Sequence, residues 1–94
     1  MAEYPTEEEL KQIEEWSLDD WNGLLDFIEP LWTHYGRFTR TEKALELATG
    51  GWSGNEDIIQ SLRKNMFWMI AWESSHRGGL FVFDLSSLKT VKQS

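Results

Sequence analysis

The residues that decide the fold run from Ala48 to Leu85: ATGGWSGNEDIIQSLRKN (48–65) followed by MFWMIAWESSHRGGLFVFDL (66–85). The first part reads as a glycine-rich turn into a helix. Ser53-Gly54-Asn55-Glu56 has the form of a capping box, in which Ser53 takes an amide of the first turn and Glu56 reaches back. Ile58, Ile59 and Leu62 then share one helical face, Arg63 and Lys64 suit the negative end of the helix dipole, and Asn65 stops it. The second part reads as a hairpin, with strands over 66–72 and 80–85 joined by residues 73–79. In the first strand Met66, Trp68, Ile70 and Trp72 would share a face. In the second, Leu80 and Val82 oppose Phe81, Phe83 and Leu85. Both faces are apolar, so both need cover, from helices of this chain or from another molecule.

Upstream, Lys43 to Thr49 alternates loosely into Gly50-Gly51, a strand with Leu45 and Leu47 inward and Glu46 outward. Residues 37–41 form a connector or a short edge strand around Phe38. Further back, Thr6-Glu7-Glu8-Glu9 is a capping box in which Thr6 and Glu9 serve each other, opening an amphipathic helix over 6–16 with Leu10, Ile13 and Trp16 on one face. Ser17 offers a second cap. Trp21, Leu24, Leu25, Ile28, Leu31, Trp32 and Tyr35 continue one apolar stripe to Gly36, with Pro30 expected to kink the helix near Glu29. The expected class is α+β in a single domain. Two acidic N-terminal helices (1–36) precede a β-α-β-β core (43–85), and a polar tail (86–94) frays. The sheet is three-stranded and mainly antiparallel, with helices packed on it and the last strand lying between the other two.

The composition fits one small globular domain: 94 residues, 40% hydrophobic and 27% charged. Six tryptophans give a short chain a large buried area. The absence of cysteine excludes disulfide and thiol chemistry and fits a reducing cytoplasm. No apolar run has the length of a membrane span, and the acidic start lacks the features of a signal peptide. The net charge of −7 is uneven. Residues 1–30 hold ten acids against Lys11 alone, whereas residues 31–94 hold six acids and eight bases. Such an N-terminal part disfavours phosphate backbones and favours a basic partner. Glu7, Glu8, Glu14, Glu15, Asp19 and Asp20 are its candidate contacts; the same acids also serve plain solubility.

Chemistry-bearing patterns are sparse. Gly51-Trp52-Ser53-Gly54-Asn55 sits where a nucleophile elbow would, but Asn55 replaces the required glycine. The same turn lacks the lysine of a phosphate loop, and Glu56 and Asp57 occupy the positive end of its helix. Gly50, Gly51 and Gly54 point to positive φ or to a backbone passing close under Trp52. Trp52 either caps the core from this turn or projects as a binding anchor. His34 and His76 have no metal-ligand spacing; His34 suits a helix end, and His76-Arg77 is a cationic pair in the hairpin loop, either a plain polar loop or a contact for an acidic group or a backbone phosphate. The adjacent acids Glu14/Glu15, Asp19/Asp20 and Glu56/Asp57 diverge on helices, which makes them poor candidates for convergent dyads. No catalytic set, cofactor site or metal site is expected.

The run TGGWSGNEDIIQSLRKNMFWMIAWESSHRGGLFVF, preceded by WTHYGRFTR, resembles a family of small phage and prophage proteins. These share a Gly-Trp-Ser-Gly-Asn-Glu turn, a short helix and an F-W…W hairpin ending in R-G-G; the likeness spans residues 32–85. It implies a phage-encoded protein acting in a bacterial cytoplasm and carries over no catalytic residue. Small acidic phage proteins include counter-defence factors such as anti-CRISPR proteins, which occupy nucleic-acid-binding surfaces of host machinery. The leading expectation is therefore a non-enzymatic inhibitor that binds a basic host surface through its acidic face, with Trp52, Trp72, His76 and Arg77 as further contacts. The alternatives are a self-associating homodimer that closes the apolar sheet, and a small-ligand or nucleic-acid module using the glycine turn and hairpin loop.

Overall fold

Thr6 starts the first helix. In the computed structural model, which describes residues 4–32 and 36–90, its hydroxyl accepts the Glu9 amide (3.1 Å) and the Glu9 carboxylate accepts the Thr6 amide (2.9 Å). This is the expected capping box, and it opens α1 (Glu7–Glu15). Ser17 holds the N-cap position of a 3-10 turn (Leu18–Asp20), but its hydroxyl bonds the Asp19 carboxylate and caps no amide. α2 (Trp21–Ile28) buries Trp21, Leu24, Leu25 and Ile28 and gives way to a 3-10 turn (Glu29–Leu31) at Pro30, where the missing amide breaks the ladder. His34 and Tyr35 lie outside the described residues.

The sheet has four strands, one more than expected: β1 (Arg37–Arg40), β2 (Ala44–Ala48), β3 (Trp72–His76) and β4 (Leu80–Asp84), in the order β1-β2-β4-β3 and antiparallel throughout. The return strand β4 does lie in the middle. Between β2 and β3 run α3 (Ser53–Arg63) and α4 (Met66–Ala71). The helix α4 replaces the strand expected over 66–72. Asn65 is its N-cap, and Phe67 and Ala71, four residues apart, are the positions it buries. A continuous apolar run has no period that separates strand from helix, and here the cap decides. The strand begins at Trp72, the last residue of the expected strand, and runs through residues 73–76, part of the expected loop; the true turn shrinks to Arg77-Gly78-Gly79 with φ of +86° and +82° at its glycines.

Leu45, Leu47, Phe81 and Phe83 face the helices; Phe67 and Trp68 of α4 lie against these phenylalanines with ring centroids 5.2–5.6 Å apart. The Arg63 guanidinium covers Trp68 at 4.9 Å. On the other side two cross-strand rows lie open: Arg37–Ala48–Leu80–His76 and Thr39–Glu46–Val82–Ser74. None of these side chains is buried, so the expectation that both faces are covered holds for one face only among the described residues. The tail also differs from expectation. A 3-10 helix (Leu85–Thr90) follows β4 and places Leu85 and Leu88 in the core. No helix of the described residues is long and apolar enough to cross a membrane.

Asn65, 3% exposed, ties these pieces together: its amide donates to the carbonyls of Ile13 (2.8 Å) and Trp16 (3.0 Å), and its oxygen accepts the Phe67 amide (2.8 Å). Asn65→Ala is expected to cost about 2–4 kcal/mol in urea unfolding, since it removes a cap and strands buried carbonyls. Asn65→Asp keeps the cap acceptor yet turns a carboxylate toward two carbonyl oxygens, and should be no better at neutral pH. A pH dependence arises at the end of β4, where the Ser86 hydroxyl and amide donate to Asp84 and hold its carboxyl below the usual carboxylate range. A lowered folded value stabilises the ionised protein above the unfolded pKa, and that stability is lost as the pH falls through the folded value. Thermal melts of Asp84→Asn should therefore lie below wild type at neutral pH and converge with it as the pH falls below the usual carboxylate range.

Candidate functional site

The capping box at Thr6 and the glycine turn at 50–51 fix the starts of α1 and α3, and the packing of these two helices determines where the acids gather. At one end Tyr4 stacks on Trp52 (centroids 5.0 Å apart, planes 16° apart) and its hydroxyl meets the Ser53 hydroxyl at 2.8 Å. At the other end the Ser61 hydroxyl donates to Glu14 (3.2 Å), Lys64 pairs with the same carboxylate at 3.8 Å, and Asn65 reaches Ile13 and Trp16. The helices therefore run parallel, with both first turns at one pole. Glu7 and Glu8 come to that pole from α1, and Glu56 and Asp57 from α3; all four are exposed. Among the described residues their carboxylates take part in no ion pair or side-chain hydrogen bond. Tyr4, 59% exposed, lies at the same end, on Trp52 and Ser53.

This separates the six acids named from the sequence. Glu7, Glu8 and Glu15 are exposed and uncommitted. Glu14 is spent on α3, the Asp19 carboxylate is bonded by Ser17, and Asp20 accepts the Trp16 indole N–H through its backbone oxygen (3.0 Å) and its carboxylate (3.2 Å). The three committed acids position helices. Ser53 is also corrected. Trp52, with extended backbone, is the N-cap of α3, Ser53 is the first helical residue, and no side chain closes the cap, so Ser53 and Glu56 form no capping box. The hydroxyl of Ser53 is turned to Tyr4 instead, and the Glu56 carboxylate is left to solvent.

Trp52 is half-buried: Tyr4 covers one side, and a Cβ added at Gly54 would fall 2.2–2.6 Å from three of its ring carbons. That close approach accounts for Gly54, while Gly50 and Gly51 carry positive φ (65° and 77°) as expected. Because Tyr4 and the Gly54 backbone already occupy the indole, Trp52 is a poor platform for a stacked base. A groove of about 210 Å³ runs beside the pole, lined by Thr49, Glu56, Ile59, Gln60, Gly79 and Phe81. The Thr49 amide donates to the Gly79 carbonyl (3.0 Å), so the hairpin turn with Arg77 closes at this same end of the sheet. Trp72 and His76 sit apart on β3, Trp72 bonded to Ser75 and His76 to Ser74. A larger hollow of about 500 Å³ lies elsewhere, between α2 and the β1–β2 turn, but its guanidinium, Arg40, is already held by Asp26 (2.7 Å) and Asn22 (3.0 Å).

Sequence reasoning missed Tyr4 and Asp57 as members of the site. An aromatic two residues before a capping box was the available signal for Tyr4. Among the described residues no group of three His, Asp or Glu side chains could hold a metal ion. No protein-family model matches this chain, and no curated protein or solved structure is significantly similar to it.

Gly54→Ala tests the aromatic part of the pole. On an isolated helix it would gain about 1 kcal/mol in propensity. Here the methyl must displace the Trp52 ring, so a net loss of about 1–3 kcal/mol is expected. Near-UV circular dichroism should weaken and acrylamide quenching of tryptophan should rise as the Tyr4 stack opens; an unchanged spectrum with a raised melting temperature would contradict the geometry described.

Proposed function

We propose that this protein acts by binding another protein, docking its acidic pole on a basic surface of a larger partner and so blocking it. The reading is carried by one observation: parallel α1 and α3 bring uncommitted carboxylates from two helices to the end of the molecule where an exposed tyrosine also lies. Dispersed surface acids would serve solubility. A concentrated group with an aromatic at the same end supplies the two things a tight complex needs. The charge raises the encounter rate with a basic surface. The aromatic, already ordered by its stack and its bond to Ser53, buries area with little further loss of side-chain freedom.

The partner's chemistry follows from the charge. A surface that ordinarily holds nucleic acid is a dense array of lysine and arginine, and a compact acidic pole competes for it by mimicking the negative charge alone. With the resemblance to phage proteins, this supports a counter-defence inhibitor of the anti-CRISPR kind, acting in the bacterial cytoplasm without chemistry of its own.

The test is capture from bacterial lysate on the immobilised chain at low and high salt. A partner should be retained at low salt and released as screening increases. Reversal of Glu7, Glu8, Glu56 and Asp57 to lysine should reduce retention by about tenfold or more, and Tyr4→Ala should shorten the lifetime of the complex. Reversal of Glu29, an acid outside the pole, should have little effect. No salt-sensitive partner, or equal retention by the reversed protein, would overturn the proposal.

A further inference from the structure

The order β1-β2-β4-β3 leaves two sheet edges, and they differ in what a second copy of the chain would meet. An antiparallel copy of β1 (Arg37-Phe38-Thr39-Arg40), related by a two-fold axis through Phe38 or Thr39, would find no acid opposite Arg37 or Arg40. At the other edge Trp72-Glu73-Ser74-Ser75-His76 runs into Arg77, with its acid at one end and its cations at the other. Reversed on itself about an axis through Ser75, this strand is complementary: Glu73 faces Arg77 of the copy, and Trp72 faces the copy's hairpin turn. Glu73, His76 and Arg77 are exposed, and among the described residues Glu73 and Arg77 take part in no ion pair.

A second observation points to the same edge. Among the described residues four large apolar side chains are conspicuously exposed, and three of them, Met66 (55%), Met69 (76%) and Trp72 (44%), fall in residues 66–72, which lead into β3. Three-residue spacing puts Met66 and Met69 on one side of α4, and Trp72 begins the edge strand itself. The bulge between Trp72 and Ser74 is confined to the start of the strand, and Ser74, Ser75 and His76 keep a regular ladder with β4. A free edge beside exposed apolar residues is a template for another strand.

We infer that the chain forms a two-fold dimer through β3, pairing it antiparallel with its own copy so that the sheet continues from one subunit into the next. Glu73 pairs with Arg77 at the far end of the copy's strand, and the copy's hairpin turn comes to lie over Trp72. This surface does not include Tyr4, Glu7, Glu8, Glu56 or Asp57, so the dimer neither requires nor obstructs the acidic pole.

The experiment is light scattering on the full chain from low micromolar to near-millimolar concentration. Wild type should approach twice its 11.0 kDa mass. Glu73→Arg should weaken the dimer by about tenfold or more, since it sets a second cation against Arg77 of the copy. The swap of Glu73→Arg with His76→Glu and Arg77→Glu should restore it, which also shows that the single variant did not fail by misfolding. Arg37→Glu on the other edge should leave the dimer intact. A monomer at every concentration, a dimer indifferent to Glu73→Arg, or a swap that does not restore association would each overturn the inference. Because the readout is self-association, its failure leaves the lysate result untouched.

Discussion

One buried amide decides how the helices meet. Asn65 lies where α3 ends and α4 begins, and it must satisfy three backbone groups at once: the carbonyls of Ile13 and Trp16 at the end of α1, and the amide of Phe67 in the first turn of α4. Its planar side chain has two donors on one end and an acceptor on the other, which is the combination these groups demand. A residue that only capped α4 would leave α1 with open carbonyls facing protein. The same contact sets the direction of α1 relative to α3, because it fastens the C-terminal ends of both to one point.

That direction matters for charge. Had α1 run antiparallel to α3, Glu7 and Glu8 would lie beside Arg63 and Lys64 and be largely neutralised. Running parallel, α1 offers Glu14 to Ser61 and Lys64 at the far end and leaves its first turn beside that of α3. Each helix then places carboxylates over its own unpaired amides, which lowers the cost of concentrating like charge at one pole. Several cations are meanwhile consumed elsewhere: Arg40 by Asp26, Lys64 by Glu14, and Arg63 by the faces of Trp68 and Phe81. The pole is therefore more acidic than the net charge alone implies.

Much of this architecture was legible in the sequence, and each error has a physical cause. Thr6 and Glu9 were readable because a capping box is a local contract between residues three apart. β2 and β4 were readable because Leu45 and Leu47, or Phe81 and Phe83, alternate with residues of different fate. The stretch 66–71 was misread because six apolar residues carry no period, and the information that settled it lay in Asn65, whose partners are about fifty residues away. Ser53 was misread for the opposite reason: its local pattern fits a cap, but Tyr4, from the far end of the chain, claims its hydroxyl. The acidic face was visible as composition only. Which carboxylates are free and which position helices depends on the α1–α3 contact, and no window of sequence contains it.

The open side of the sheet limits what the molecule can recognise. Helices on one face of a four-stranded antiparallel sheet leave the other free, an arrangement that single-stranded nucleic-acid binders furnish with aromatic rings for stacking. Here the two open rows carry Arg37, Ala48, Leu80 and His76, then Thr39, Glu46, Val82 and Ser74, with no Phe, Tyr or Trp among them and His76, bonded to Ser74, as their one ring. The described aromatics lie elsewhere: Phe81, Phe83 and Phe38 share the helix side with Leu47, Trp72 sits at the edge, and Trp52 and Tyr4 stand at the pole. Glu46 at the centre of the open rows further disfavours a phosphate backbone across them. A chain rich in tryptophan thus spends its rings on the core, on one edge and on the acidic end, which directs recognition away from the sheet face and toward the helix layer.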